Sequence, residues 1–229
     1  MGSIVKPKSM QNKNIEGLDE YITKEIINYS YCLLSLDKDK YLFPDERSRI
    51  WVDSEFKERV NGNNVNPGEA YKIRPDVWEQ FLVIKRDDVR GNRKEFDYTY
   101  NERIRPRIYL SKIIEELQRN PDTRQAVLSI WDRSDVNGIG GKVRVPCSIY
   151  YQFLIRDNQL HIIYNQRSAD VITHFGNDVC LAWYLKEYVR GFLTGVEPGY
   201  LYHNIASLHS YKKDWNTLKT CIESLPHEQ

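Results

Sequence analysis

Residues 145–178 read VPCSIYYQFLIRDNQLHIIYNQRSADVITHFGND, and this stretch decides the fold. Two alternating segments, Ile149–Ile155 and Leu160–Tyr164, flank the turn-forming run Arg156-Asp157-Asn158. Alternation interrupted by turn residues predicts a β-hairpin. The apolar run that follows, from Phe175 to Phe192, is too long for a strand and predicts a buried helix.

Outside this stretch, helical and extended patterns follow one another without regular alternation. In chain order they predict a helix (15–36), a strand (50–60), a helix opened by Pro75, an exposed connection (85–95), a helix (108–117), strands (126–131 and 200–208) and a closing helix (213–225). Such an order is typical of α+β proteins rather than of doubly wound sheets. We therefore expect one domain over residues 15–229, preceded by a flexible polar tail over residues 1–14.

Composition narrows the class of protein. The 229 residues are 41% hydrophobic and 28% charged, with a formal net charge of +1, so the sequence lacks the basic excess of a nucleic-acid-binding domain. Its four cysteines form no CxxC pair, which disfavours a metal site. No apolar run is long enough for a membrane span, and no signal-like segment is present at the N-terminus. We expect a reduced, soluble, cytoplasmic protein.

Four residue types that carry chemistry lie close together in residues 145–178. Cys147 is a candidate nucleophile, because a thiolate can add to C6 of a pyrimidine and make C5 a nucleophilic carbon. Arg167 and Ser168 suit a phosphate, and Asp170 and Asp178 add two carboxylates. Taken singly, these residues are equally typical of a buried inert thiol, a surface arginine, a turn and a helix start. Together they point to a nucleotide-processing site.

The order of these residues resembles the thymidylate synthase superfamily. The shared pattern is Pro146-Cys147, the strand residues Gln152-Phe153, the run Gln166-Arg167-Ser168-x-Asp170, and a base-reading residue eight positions further on, here Asp178. The resemblance is convincing from about residue 97 to residue 215. It implies a fold with a mixed or antiparallel sheet flanked by helices, a homodimer with shared active sites, a pyrimidine nucleoside monophosphate as substrate and 5,10-methylenetetrahydrofolate as co-substrate.

The resemblance also assigns roles to single residues. Those implied to be catalytic are Cys147, Glu79, Asp178 and Tyr100, the last preferred to Tyr98. Those implied to bind the nucleotide are Gln166, Arg167, Ser168, Asp178, His209, Tyr211 and, from the neighbouring subunit, Arg124. Asp170 matches the aspartate that contacts the pterin of the folate, and Arg47 or Arg49 is a candidate for a further phosphate arginine.

Asp178 separates two activities within this superfamily. Thymidylate synthases have Asn at this position, and the phage deoxycytidylate hydroxymethylases have Asp. A protonated carboxyl donates to N3 of cytosine and accepts from its 4-amino group, and an ionised carboxylate can pair with N3-protonated cytosine. An amide instead matches N3–H and O4 of uracil. The sequence therefore favours C5 hydroxymethylation of CMP or dCMP. The alternatives are a thymidylate synthase acting on dUMP and a nucleotide-binding homologue without catalysis.

Three departures from the family pattern bear on these alternatives. Ser148 stands where thymidylate synthases have His, and Gln125 stands where most relatives have a second arginine. The sequence also ends at Gln229, soon after the His209–Tyr211 strand. A site left open to water is expected to favour hydration over reduction of the C5 methylene.

Overall fold

A computed structural model describes residues 3–7, 9–10, 13–37, 45–86, 91–140 and 143–224. Its strands are β1 (Ser3–Val5), β2 (Ser9–Met10), β3 (Lys13–Asn14), β4 (Thr23–Leu33), β5 (Val83–Lys85), β6 (Arg93–Glu95), β7 (Val127–Ser129), β8 (Ser148–Arg156), β9 (Gln159–Gln166), β10 (Ala169–Asp170) and β11 (Glu197–Tyr211). Its α-helices are α1 (Glu46–Arg59), α2 (Pro75–Trp78), α3 (Tyr100–Ile104), α4 (Ser111–Arg119), α5 (Phe175–Arg190) and α6 (Trp215–Glu223).

One mixed sheet organises the molecule. Its strand order is β1-β4-β11-β9-β8-β7, and the short β10 pairs in parallel with β11. β9 and β11 are parallel, whereas the remaining neighbours in the order are antiparallel. The parallel pairing brings the carboxyl ends of β9 and β10 beside the last residues of β11, where the side chains of the candidate site meet.

The hydrophobic core lies between this sheet and α5. Inward residues of β8 and β9 alternate along each strand, among them Tyr151, Phe153, Ile162 and Tyr164, each at most 1% exposed. α5 packs on β9 and β11 from one side, and α1 packs on α5. Burial of these apolar side chains stabilises the layer arrangement, and it fixes the ends of β8, β9 and α5 relative to each other.

The predicted hairpin, the long helix and most C-terminal elements are confirmed. β8 and β9 turn at Asp157 and Asn158, which both have positive φ angles of 51° and 59°. Asn and Asp tolerate this left-handed region, so the turn residues explain the tight connection. Pro75 is the first residue of α2, but this helix ends at Trp78 and does not extend to Ile84 as the apolar pattern predicts, because Ile84 belongs to β5. The elements predicted over 108–117, 126–131, 200–208 and 213–225 correspond to α4, β7, β11 and α6.

Two predicted elements are wrong in type. Residues 15–36 do not form a helix, because Thr23–Leu33 is the strand β4 between β1 and β11. Its apolar residues recur at helical spacing, but the segment is rich in β-branched and aromatic residues and gains backbone partners on both sides. Residues 50–60 are not a strand but the greater part of α1, whose start is capped by Asp45 accepting from the Ser48 N–H at 2.7 Å.

Smaller differences concern connections. Within the segment expected to be a tail, Ser3–Val5 pairs with β4. The segment read as an exposed connection contributes the strands β5 and β6, and residues 87–90 between them lie outside the described residues. Among the residues that the structure describes, none belongs to a helix of the length and apolarity needed to cross a bilayer.

Candidate active site

Cys147 lies directly before β8, and Arg167 directly after β9 holds it there. The Arg167 backbone N–H donates to the Cys147 carbonyl at 2.8 Å. The Arg167 guanidinium donates from Nε to the Pro146 carbonyl at 2.7 Å and from Nη2 to the Val145 carbonyl at 3.2 Å. Its Nη2 lies 3.7 Å from the Cys147 Sγ. Arg167 therefore holds residues 145–147 in place and lies with its positive charge beside the Cys147 thiol.

Opposing effects act on the acidity of Cys147. Burial raises the pKa of the Cys147 thiol above its ordinary value, and the charges of Asp178 and Asp170 act in the same direction. The guanidiniums of Arg167 and Arg144 lower the pKa, but they do not outweigh burial. The thiol consequently keeps its proton at neutral pH while Asp178 is ionised.

Ser148, next to the thiol, connects two tyrosines. Its hydroxyl lies 3.0 Å from the Tyr100 hydroxyl and 2.7 Å from the Tyr164 hydroxyl. The Arg59 guanidinium stacks on the Tyr100 ring at 3.8 Å, and Glu55 accepts from Arg59 Nε at 2.8 Å. Arg59 is only 6% exposed, so this ion pair belongs to the interior of the site rather than to the surface.

Asp178 belongs to the first turn of α5 and faces Gln166 at the end of β9. The Gln166 Nε2 donates to Asp178 Oδ2 at 2.6 Å. Burial raises the pKa of Asp178 to about 6, although the Gln166 hydrogen bond and the Arg59 charge lower it. A carboxyl with this pKa changes its protonation state near neutral pH, which is an uncommon property for a surface aspartate.

A buried polar chain continues behind Gln166. Gln166 Oε1 lies 3.0 Å from His203 Nε2, and His203 Nδ1 lies 2.9 Å from the Tyr31 hydroxyl. Gln166 is 2% exposed and His203 0% exposed. Both ends of the Gln166 amide are thus engaged inside the protein.

The ends of β9, β10 and β11 bring together the remaining polar residues. Ser168 Oγ lies 3.4 Å from His209 Nδ1, and Asp170 pairs with His209 in the parallel ladder. Asp170 Oδ1 accepts from the Ile172 and Thr173 N–H groups at 3.0 and 3.3 Å. Tyr211 contacts the His209 ring edge-on at 5.2 Å. Ser168, Asp170, His209 and Tyr211 therefore form one cluster, and Asp170 and Tyr211 lie near enough to Cys147 to interact with its charge.

An aromatic cleft adjoins the nucleophile. A cavity is lined by the aromatic rings of Trp51, Trp78, Phe96, Tyr98 and Tyr100 together with Glu55, Arg59 and Arg144. The Arg144 guanidinium lies 5.0 Å from each of the Trp78 and Tyr98 rings. Arg144 is three residues before Cys147, so the cleft and the thiol are neighbours in sequence as well as in space.

Several buried donors near this cleft have no hydrogen-bond partner among the described residues. They are Arg74 Nε and Nη1, Arg144 Nε and Trp78 Nε1. His174 packs on Trp78 at 5.3 Å, and burial with the Arg74 and Arg144 charges lowers its pKa to about 3. An excess of unpaired donors favours a ligand that presents hydrogen-bond acceptors, because unpaired buried polar groups are costly.

Some residues singled out from the sequence lie away from this site. Glu79 is exposed in the turn after α2, and no hydrogen bond links its side chain to a described residue of the site. Arg47 and Arg49 are paired with Asp76 and Glu46 on the surface. The Arg124 side chain is exposed beside β8, and its carbonyl accepts from Gln152 Nε2 at 2.9 Å.

Glu55 and Arg59 are the site residues that sequence reasoning missed. The sequence pattern predicts a strand over residues 50–60, and residues four apart in a strand are not neighbours. On a helix the same spacing makes them neighbours. The signal was Asp45 with Ser48 before an apolar run, a start typical of a capped helix. Arg144 was also missed, because nothing in the sequence marks its ring contacts.

The similarity of this chain to known proteins includes the residues of the candidate site. The family model described as thymidylate synthase matches residues 21–229. A putative thymidylate synthase of Methanosarcina acetivorans is 32% identical over 139 residues, which are 58% of this chain and 62% of that protein. The thymidylate synthase of equine herpesvirus 2 is 27% identical over 185 residues, 78% of this chain and 58% of that protein.

A third similar protein is the thymidylate synthase of Mycoplasma genitalium, 26% identical over 110 residues, which are 48% of this chain and 37% of that protein. The chain thus spans less than two thirds of the length of each of these curated relatives. The family match, over residues 21–229, agrees with the mixed sheet flanked by helices.

Proposed function

This chain belongs to the thymidylate synthase family, and from that premise we propose that it hydroxymethylates C5 of a cytidine monophosphate nucleotide, CMP or dCMP. The observation that carries the proposal is Asp178, a carboxyl with a pKa of about 6 whose Oδ2 accepts a hydrogen bond from Gln166. The wider class, transfer of a one-carbon unit to a pyrimidine nucleotide, is supported by family membership. The choice of cytosine is supported by Asp178.

Base recognition follows from the hydrogen-bonding capacity of each group. Cytosine presents an acceptor at N3 beside a donor at its 4-amino group, and uracil presents the reverse. Protonated Asp178 offers one donor and one acceptor and complements cytosine. Ionised Asp178 can only accept, so its oxygen repels O4 of uracil, which is also an acceptor. Leaving such groups unpaired in a buried site is a strong means of rejection.

Cys147 supplies the covalent step in this proposal. Its thiolate forms a bond to C6, and the electron pair of the C5–C6 double bond makes C5 nucleophilic. When bound, 5,10-methylenetetrahydrofolate supplies a carbon at the oxidation level of formaldehyde. In the proposed step C5 bonds to that carbon, the C5 proton is lost to a base and tetrahydrofolate leaves, so that a methylene remains on C5. Addition of water to this methylene gives the hydroxymethyl group without any reductant, and elimination of the Cys147 thiolate restores the C5–C6 double bond. In this proposal the protein admits water to the C5 methylene and supplies the groups that transfer the protons.

The aromatic cleft fits an acceptor-rich heteroaromatic co-substrate. Trp51 and Trp78 stack at 5.1 Å and offer a flat apolar wall, and the unpaired donors of Arg74, Arg144 and Trp78 suit ring oxygens and nitrogens. Asp170 accepts from the Ile172 and Thr173 N–H groups through Oδ1 alone, so its Oδ2 is the oxygen assigned to the folate. These residues would hold the folate beside Cys147.

Glu55 is better situated than Glu79 to direct water. It lines the aromatic cleft and pairs with Arg59, whereas Glu79 is exposed. Its charge also raises the pKa of Asp178, which indicates that the two carboxyls lie close together. We assign the water-directing and proton-transfer role to Glu55 in place of Glu79. Arg59, which donates to Glu55, stacks on the Tyr100 ring and so links Glu55 to Tyr100.

Phosphate binding is assigned to Arg167 and Ser168 of one chain and Arg124 of a second chain. β7 and β8 pair Val127 with Gln152, and Gln152 also bonds the Arg124 carbonyl. Cys147 is five residues from Gln152 along β8, a separation of about 17 Å at strand spacing. Arg124 cannot reach its own nucleophile, so a phosphate role requires a homodimer. His209 and Tyr211 are assigned to the ribose.

The second candidate is thymidylate synthesis from dUMP, favoured by the printed names of the relatives. It requires reduction of the C5 methylene rather than its hydration, and release of dihydrofolate. The two products differ in mass, because one carries a hydroxymethyl group where the other carries a methyl group. They also differ in their base. The experiment is therefore product analysis by mass, with CMP, dCMP and dUMP each supplied with 5,10-methylenetetrahydrofolate.

Formation of a 5-hydroxymethyl cytidylate supports the proposal, and the inactive Cys147→Ser variant is its control. Methylation of dUMP with release of dihydrofolate would replace the proposal by the synthase activity. Absence of any product from all three nucleotides, with nucleotide binding retained, would identify a binding protein instead.

A further inference from the structure

We propose that Tyr31, His203 and Gln166 form a hydrogen-bond relay of fixed direction, which decides which oxygen of Asp178 carries a proton and thereby sets base preference. This inference rests on the proposed function, because it concerns how the same site reads a pyrimidine. His203 is 0% exposed and contacts Gln166, and the Tyr31 hydroxyl contacts His203, so both are positioning residues that act through Gln166.

The relay is continuous and crosses four elements. Tyr31 of β4 lies 2.9 Å from His203 Nδ1, His203 of β11 lies 3.0 Å from Gln166 Oε1, and Gln166 of β9 lies 2.6 Å from Asp178 Oδ2 on α5. The strand register agrees with the hydrogen bond between Tyr31 and His203, since the two residues are direct partners in the β4–β11 ladder. The sheet therefore holds every member of the relay in place.

His203 is a neutral imidazole in this environment. It stacks on Tyr164 at 4.4 Å and lies near-parallel to Phe175 at 6.1 Å, and it is fully buried. Burial lowers the pKa of His203 to about 3. A neutral imidazole has one N–H donor and one acceptor nitrogen, so each of its two hydrogen bonds must run in a definite direction.

Asp178 sets that direction from the other end. An ionised carboxylate only accepts, so Gln166 must turn its amide N–H toward Oδ2. The Gln166 Oε1 then faces His203, which must carry its proton on Nε2. His203 Nδ1 is left as an acceptor, and the Tyr31 hydroxyl donates to it. The opposite direction would need all three groups to reverse together.

The consequence for Asp178 is a difference between its two oxygens. A hydrogen bond from Gln166 favours Oδ2 as the acceptor oxygen, because a protonated oxygen accepts less well. When Asp178 takes up a proton, the proton is therefore directed to Oδ1. A carboxyl with a fixed proton presents donor and acceptor in one order only. Cytosine and uracil present opposite orders, so one base is accepted and the other rejected.

The Tyr31 hydroxyl is the member of the relay that can be removed most cleanly. The Tyr31 ring also packs on Phe175 at 5.8 Å and on the edge of His203 at 5.4 Å, and these contacts need no hydroxyl. Tyr31→Phe thus keeps the packing and removes one hydrogen bond. Tyr29, two residues earlier on β4 and 38% exposed, provides the matched control Tyr29→Phe.

The test is the ratio of dissociation constants for cytosine and uracil nucleoside monophosphates, measured by calorimetry. Tyr31→Phe should reduce this discrimination about three- to tenfold, the effect of one neutral hydrogen bond. His203→Phe, which keeps a stacked ring but breaks both bonds, should reduce it at least as much. Tyr29→Phe should leave it unchanged. A ratio that stays within about twofold of wild type in Tyr31→Phe would overturn the relay.

A second measurement is independent of the nucleotide. Long-range nitrogen–proton NMR of the His203 ring, assigned by its loss in His203→Phe, should report a neutral ring protonated at Nε2. Tyr31→Phe should allow the other tautomer to appear. A wild-type His203 that is cationic or protonated at Nδ1 would contradict the direction of the relay, even if the variants fold poorly.

The two proposals fail in different ways. A wild-type preference for uracil would end the cytidylate assignment, while a shift of the ratio toward one in Tyr31→Phe would still support the relay. If the protein binds neither nucleotide, the proposed function fails and the His203 tautomer alone decides the relay.

Discussion

At the residue scale, Asp178 and Cys147 are coupled through their charges. The Asp178 carboxylate raises the pKa of the Cys147 thiol, and burial raises the pKa of Asp178 itself to about 6. A nucleotide that leaves Asp178 neutral removes one of the effects that keep the thiol protonated. Recognition of the base and activation of the nucleophile are therefore expected to be linked.

Proton uptake tests the protonation state of Asp178 in the complex. With a pKa of about 6, Asp178 is ionised in the unliganded protein at pH 8 and must gain a proton to pair with neutral cytosine. We expect about one proton to be taken up per cytidylate bound at pH 8, measured by calorimetry in buffers of different ionisation enthalpy. Asp178→Asn should abolish the uptake and weaken cytidylate binding by about 2–4 kcal/mol. Uptake that persists in Asp178→Asn would assign the proton elsewhere.

The acidity of Cys147 provides a second test. Asp178→Asn removes a negative charge near the thiol, so the pKa of Cys147 should fall and its alkylation at pH 8 should become faster. Arg167→Met removes a positive charge and should slow alkylation. Because Cys32 and Cys221 are exposed, the rates are measured against pH in a background with both replaced by Ser. Equal profiles in all three proteins would contradict the coupling.

At the scale of elements, the sequence predicted those parts of the fold whose signals are local. The β8–β9 hairpin was predictable because Asp157 and Asn158 impose their turn, and α5 because its apolar run is long. β4 was not, since its apolar spacing suits a helix and its strand conformation depends on pairing with β11, far along the chain. Pairing with distant strands, rather than local propensity, determines the conformation of that segment.

The residues of the candidate site also fall into two groups, those that the local sequence predicts and those that depend on the fold. Cys147, Arg167, Ser168, Asp170 and Asp178 follow one another within 32 residues and were predictable from residue type and order. Glu55, Arg59 and His203 reach the site through α1 and β11, and their roles depend on contacts across the fold. No pattern in the sequence marks an imidazole that is buried between two aromatic rings.

The start of α1 offers a test at this scale. Asp45 caps the helix that carries Glu55 and Arg59, and its side chain accepts from the Ser48 N–H. Asp45→Ala should lower the free energy of unfolding by about 0.5–2 kcal/mol in urea titrations, whereas Asp45→Asn, which retains a capping oxygen, should cost less. The base preference should be unchanged in both. An Ala variant as stable as wild type would show that packing alone holds α1.

At the scale of the whole molecule, the sheet suggests how two chains meet. β4 and β11 leave large apolar side chains exposed, among them Ile26, Ile27, Tyr29 and Tyr202. Exposed apolar patches of this kind mark interaction surfaces in many proteins. These residues are candidates for the interface of the homodimer that the proposed role of Arg124 requires.

Subunit complementation tests that arrangement. Arg124→Ala and Cys147→Ser should each impair activity as homodimers, because one lacks a phosphate contact and the other the nucleophile. In a mixed dimer, one site has an intact Cys147 and receives an intact Arg124 from the partner, so activity should return to about half per dimer, an estimate from one functional site of two. Purified heterodimers without recovered turnover would remove the support for a shared site.

The stacked pair Trp51 and Trp78 gives the protein an optical property. Two indoles 5.1 Å apart with nearly parallel planes couple their electronic transitions, and the Arg144 charge lies 5.0 Å from one of them. Any ligand that enters the cleft changes both the coupling and the field at Trp78. The intrinsic fluorescence and the far-ultraviolet dichroism of the unlabelled protein should therefore record when that compartment fills, without a reporter group attached to it.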